Sequence, residues 1–286
     1  MNINGIEIGG NNPCYIVADI GINANGSMGM AIKLIDAAKL AGCNAVKFQK
    51  RTIELQYTMK ELAQLRESPF GKTNGDLKQA LEFDYDDYYD IDKYCKKIDM
   101  TWFASVWDIP SVKFLKELNV PVYKIPSARN NDYDLLSAVD DTRKPIIISC
   151  GMTSLKDILY LGLSENNNLA LMACTSSYPA KIEDLNLNRI LTLKRNFPSM
   201  IIGYSGHEVG LWTTLCTVAM GAKIIERHIT LDRTMFGSDQ AASLEPLALQ
   251  KLVREIRDFE IAAGSYELGM LPCEVEVAKK LKRKFA

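Results

Sequence analysis

Eight short apolar runs, each followed by a segment with helical spacing, constrain this chain more than any other feature. The runs are Tyr15–Ile20, Ala45–Gln49, Trp102–Val106, Val122–Ile125, Ile146–Cys150, Leu169–Cys174, Met200–Tyr204 and Lys223–Ile229. They are nearly continuous in apolar residues rather than alternating, as strands are when helices cover a parallel sheet on both faces. The segments Met28–Leu40, Tyr85–Ile98, Val112–Leu118, Leu135–Val139, Leu155–Leu163, Ile182–Phe197 and Leu211–Met220 suit crossover helices, and Glu245–Ala263 follows the last run. Eight βα units over about 250 residues predict an α/β fold of the TIM (β/α)8 barrel type. A doubly wound open sheet is the rival, but the Gly-rich fingerprint G-x-G-x-x-G that usually opens it is missing.

No repeat, low-complexity tract or Gly/Ser linker divides the 286 residues, which read as one domain. Its expected parts are an N-terminal hairpin over 1–13 (Asn2 to Ile8, closed by Gly9-Gly10), a barrel over 14–265 and a C-terminal tail over 266–286. With 34 Lys+Arg against 35 Asp+Glu, the net charge of −1 argues against nucleic acid or an anionic membrane as partner. There is no secretory signal pattern, and no run approaches the ~20 apolar residues of a membrane span. The seven cysteines form no C-x-x-C pair, so they read as reduced thiols of a cytoplasmic protein.

Barrel enzymes carry their chemistry where the strands end. Polar residues gather at those positions: Asp19, Lys47, Gln49, Ser105, Lys124, Ser127, Ser149, Ser176, Tyr178, Ser205, His207, Glu226 and His228. A buried strand tolerates Lys or Glu only when it is paired or working. Two lysines and five serines on one rim suit a phosphate, with ammonium charge and hydroxyl geometry combined. His207 and His228, the two histidines of the chain, end neighbouring strands and could share a metal ion completed by water, carboxylate or substrate. The alternative is a pair of structural histidines. Glu226 lies two residues before His228, so both face the barrel interior. It would handle a proton or orient a ligand there, or pair with Lys47 or Lys124. Cys150 and Cys174 lack an adjacent base, Trp102 and Trp107 read as core, and Asp84 to Asp87 read as a helix start.

Several segments resemble the N-acetylneuraminate (sialic acid) synthase family. They begin with Ile16-Val17-Ala18-Asp19-Ile20-Gly21-Ile22-Asn23-Ala24-Asn25-Gly26 and Val46-Lys47-Phe48-Gln49. Tyr123-Lys124-Ile125-Pro126-Ser127, Ser149-Cys150-Gly151-Met152 and Cys174-Thr175-Ser176-Ser177-Tyr178-Pro179 continue in order. Gly203-Tyr204-Ser205-Gly206-His207, Glu226-Arg227-His228, Gly237-Ser238-Asp239 and Ala241-Ala242-Ser243-Leu244-Glu245-Pro246 complete the match.

The resemblance implies a metal-dependent condensation of phosphoenolpyruvate with an aldose, giving a 2-keto-3-deoxy sugar acid and phosphate in carbohydrate biosynthesis. Lys47, Lys124, Ser127, Ser149, Ser176 and Ser205 would hold phosphoenolpyruvate. His207 and His228 would hold a divalent metal, manganese before magnesium or cobalt. Glu226, Asp239 and Asp19 would be catalytic, and Gln49, Tyr178, Asp239 and Arg129 would meet the sugar. A homo-oligomer is expected. Asp19 stands where the family usually has Glu, Ala24 where it has His, and Arg129 where an acidic residue is common; Arg129 would meet a carboxylate or phosphate on the acceptor or pair with a nearby acid. The sequence ends at Lys284-Phe285-Ala286, where family members continue into an antifreeze-like domain. An unacetylated or phosphorylated aldose is therefore an alternative acceptor, and a pyruvate-dependent metal aldolase an alternative activity.

Overall fold

Tyr15–Gly21, seven residues all buried, form the first strand of a closed parallel barrel. The computed structural model describes residues 1–162, 168–265 and 267–283. The barrel strands are β1 Tyr15–Gly21, β2 Ala45–Lys50, β3 Thr101–Val106, β4 Tyr123–Ile125, β5 Ile146–Ser149, β6 Leu169–Cys174, β7 Ile201–Gly206 and β8 Ile224–His228. They lie side by side in chain order, and β8 closes on β1 with His228 opposite Asp19. All eight expected strands are therefore present, and the fold is the expected TIM barrel.

The helices between them are α1 Met28–Ala41, α2 Tyr85–Lys97, α3 Ile109–Glu117, α4 Tyr133–Asp140, α5 Leu155–Tyr160, α6 Arg189–Asn196, α7 Trp212–Ala219 and α8 Pro246–Ala262. Asp84 caps α2 through a hydrogen bond from the Asp87 N–H, so the acidic run does start a helix. The helix expected over Ile182–Phe197 is divided into a 3-10 turn at Ile182–Asp184 and α6. Asn186, with φ of 45°, interrupts it. The expected end of α5 at Leu163 lies outside the described residues.

Two expectations are corrected. The N-terminal hairpin pairs Asn2–Ile3 with Ile6–Glu7 and turns at Asn4-Gly5, not at Gly9-Gly10. Asn4 and Gly5 both have positive φ, 50° and 85°, the pattern of the two-residue Asn-Gly hairpin turn. The segment after β2, without expected elements, holds helical turns at Ile53–Gln56 and Met59–Leu62, a hairpin of Leu65–Ser68 with Gly71–Thr73, and a helix at Asn74–Ala80. The expected tail contains a helix at Val275–Leu281.

Candidate active site

Strand ends β1 to β8 surround a cavity of 290 Å³ at the C-terminal mouth of the barrel. Of the site residues expected from the sequence, all but Arg129 line it. Arg129 turns aside, its guanidinium 2.6 Å from Asp132, the residue that caps α4. Of the two readings open for Arg129, this is the pairing with a nearby acid.

Lys47 sits at the centre of the floor. Its Nζ lies 2.8 Å from Asp19 Oδ2 and 3.5 Å from Glu226 Oε1, and it donates to Ser105 Oγ at 3.0 Å. Burial works against its charge, but Asp19 and Glu226 outweigh that and raise its pKa. Glu226 also accepts from Ser205 Oγ at 3.2 Å. Burial pushes the Glu226 carboxyl up, but Lys124 and Lys47 prevail and hold it at about 2. Glu226 Oε2 and Asp19 Oδ1 are buried and lack a hydrogen-bond partner, so each keeps an oxygen available to a ligand.

The second lysine meets the serines of the cavity. Lys124 donates to Ser149 Oγ, and burial lowers its pKa. Ser127 Oγ accepts from the Gly151 N–H at 3.1 Å and lies 3.1 Å from Cys174 Sγ, while Ser176 Oγ is buried without a partner. Gly151 is required here, because a Cβ would stand 2.3 Å from Ser176 Oγ and 2.7 Å from Ser127 Oγ. Asn130, which the sequence did not single out, holds this loop by donating to the Ser149 carbonyl at 2.9 Å and to Thr153 Oγ1 at 2.6 Å. Trp107, expected in the core, lines the cavity instead, as does Met152. Its place one residue beyond the end of β3 was the available signal.

The two imidazoles face each other with ring centroids 5.5 Å apart, and the Tyr178 ring lies 4.2 Å from His207 and 5.9 Å from His228. His207 Nδ1 is 2.7 Å from the Thr175 carbonyl, to which it can only donate, so Nε2 carries the lone pair. Burial first, then His228, lowers the His207 pKa to about 4, which keeps the ring neutral near pH 7. His228 Nε2 lies 3.3 Å from Asp19 Oδ2, and its Nδ1 is buried without a partner. A neutral imidazole with one nitrogen tied to a carbonyl fits a divalent metal. Among the described residues no group of three or more His, Cys, Asp or Glu is arranged to hold one. His207 and His228 would thus supply two positions and leave the others to water and substrate. Asp239 completes the rim, its Oδ1 accepting from Ser238 Oγ at 2.7 Å.

A parallel barrel that gathers two buried lysines, a set of serines, a buried glutamate and two histidines at its strand ends defines an α/β-barrel enzyme. The sequence profile of the NeuB family matches residues 34–267, and the chain belongs to that family of sugar-acid synthases. It is 41% identical over 279 residues to the human N-acetylneuraminate-9-phosphate synthase, covering 96% of this chain and 78% of that protein. It is 35% identical over 293 residues to the N,N'-diacetyllegionaminic acid synthase of Legionella pneumophila, covering 98% and 82%. The crystal structure of an N-acetylneuraminic acid (sialic acid) synthetase from Leptospira borgpetersenii, in complex with citrate, superimposes with a TM-score of 0.85. The two sequences are 32% identical, with 99% of this chain and 98% of that one covered. Among the described residues no helix is long and apolar enough to cross a membrane.

Proposed function

We propose that this enzyme condenses phosphoenolpyruvate with an open-chain aldose to give a 2-keto-3-deoxy sugar acid and phosphate. The observation that carries the reading is the pairing of two buried lysines and a serine cradle with Glu226 and the histidine pair in one cavity. Lys124, Ser127, Ser149, Ser176 and the Gly151 loop would take the phosphate, and Lys47 with Ser205 the carboxylate end. Buried ammonium groups acting through fixed hydrogen bonds gain strength in such a site. Gln49, Tyr178 and Asp239 lie on the remaining wall and would hold the aldose.

C3 of phosphoenolpyruvate attacks the aldehyde carbon, water adds at C2, and the C–O bond to phosphate breaks as phosphate leaves. A divalent metal on His207 and His228, manganese before magnesium or cobalt, would polarise the aldehyde oxygen when bound. Glu226 stays ionised between its lysines and is placed to take the proton of the adding water, with Asp19 and Asp239 as the other carboxylates in reach of the cavity. A pyruvate aldolase would leave the phosphate cradle without a task. A cytoplasmic location suits a chain whose seven cysteines are all free.

The test is a phosphate-release screen with phosphoenolpyruvate across aldoses with and without acetamido and phosphate groups. Release that depends on one aldose class is expected. Turnover of pyruvate with no need for phosphoenolpyruvate would overturn the reading.

A further inference from the structure

Arg227 and Glu208 stand back to back with the histidines, Arg227 one residue before His228 and Glu208 one residue after His207. They are among the most buried charged residues, at 1% and 0% exposure. Alternation along the strands sends them to the outer face of the barrel while Glu226, His228 and His207 face inward. The β7–β8 ladder ends at the pair Gly206–Arg227. Beyond it, His207 is anchored on the β6 side, where the Ala180 N–H donates to its carbonyl at 2.9 Å. His228 is anchored on the β1 side, where it pairs with Asp19.

Across the β7–β8 seam the Arg227 guanidinium takes over from the main-chain ladder. Its Nη2 donates to the Glu208 carbonyl at 2.6 Å. Its Nη1 donates to the Gly210 carbonyl at 3.0 Å, to Thr214 Oγ1 at 2.6 Å and to Glu208 Oε1 at 3.2 Å. Glu208 in turn accepts from Thr213 at 2.8 Å, Thr214 at 2.9 Å and Tyr204 at 2.9 Å. Gly206 leaves room for this network, since a Cβ there would lie 2.6 Å from Glu208 Oε2 and 2.9 Å from Arg227 Cδ.

We infer that Arg227 and Glu208 are positioning residues that set the spacing of the His207 and His228 rings. The inference rests on the reading of those rings as metal ligands. A planar guanidinium can hold two carbonyls, a hydroxyl and a carboxylate at once, whereas a lysine keeps the charge without that fork.

The test is calorimetric titration of Mn2+ into the wild type and into His207→Ala, Arg227→Lys and the double variant Arg227→Met/Glu208→Leu, with kinetics on each. The double variant removes both charges together, a change buried pairs commonly tolerate. Binding to the wild type and its loss in His207→Ala are expected. Affinity about 10–100-fold weaker is expected in both Arg227 variants, the range seen when a support behind a ligand is lost. The fall should appear in kcat more than in KM for phosphoenolpyruvate. Wild-type affinity in a folded Arg227→Lys or double variant would overturn the positioning role. A wild type that binds no Mn2+ would instead overturn the metal reading.

Discussion

Lys47 joins most of the site with a single ammonium group, meeting Asp19, Glu226 and Ser105 at once. Lys47→Met would strip the buried Asp19 carboxylate of its lysine and leave Glu226 with Lys124 alone, so a loss of about 3–5 kcal/mol in denaturant unfolding is expected, together with loss of turnover. Gly151→Ala tests the anion end separately. Its Cβ would displace the Ser127 and Ser176 hydroxyls, and a fall of about 100-fold in kcat/KM for phosphoenolpyruvate is expected for a shift on the scale of 1 Å. The polar residues of this cavity were legible in the sequence because Lys and Glu at the end of an apolar run have few bland explanations. Arg227 and Glu208 were not, because their partnership joins two strand ends across a seam and has no period within either. Which acid Arg129 meets was not legible either, because its partner Asp132 is fixed by the cap of α4, a detail of turn geometry.

At the scale of elements, strands β1 to β8 could be located to within a residue or two, since each is a short apolar run with little competing pattern. The excursion between β2 and α2 could not, because its pieces are three to seven residues long and show no usable periodicity. Capping boxes at Thr58/Glu61 and Thr73/Asp76 were the signals present. Asp108 ties this excursion to α3, accepting from the Thr52 N–H at 2.7 Å, the Ser111 N–H at 2.8 Å and Ser111 Oγ at 2.6 Å. Burial opposes its charge, but the Ser111 and Thr52 bonds prevail and hold the carboxyl below its ordinary 3.8. A depressed folded pKa contributes stability that is whole above the unfolded value and lost as pH falls through the folded one. Acid unfolding of the wild type should therefore steepen below about pH 4, and Asp108→Asn should flatten that limb. Asp108→Ala should cost about 1–2 kcal/mol at neutral pH through the lost cap.

Across the whole molecule, the barrel shields most of its thiols. Cys14, Cys43, Cys95 and Cys150 are buried and desolvation pushes each to about 12, while Cys216 and Cys273 are exposed. A thiol reagent at pH 8 should modify Cys216 and Cys273 rapidly and Cys14, Cys43, Cys95 and Cys150 only on unfolding, as peptide mapping can check. Fold and family speak to the kind of reaction more than to the acceptor: Lys47, Lys124, Ser149 and Ser205 are buried on the strands, while Tyr178 is exposed at the mouth. The most direct measurement follows the bridging oxygen of phosphoenolpyruvate. With that oxygen labelled as 18O, incubation with the accepted aldose should deliver the label to inorganic phosphate and form a 2-keto-3-deoxy acid. Label retained in the sugar acid, or phosphate released at the same rate without an aldose, would contradict condensation by C–O cleavage at this site.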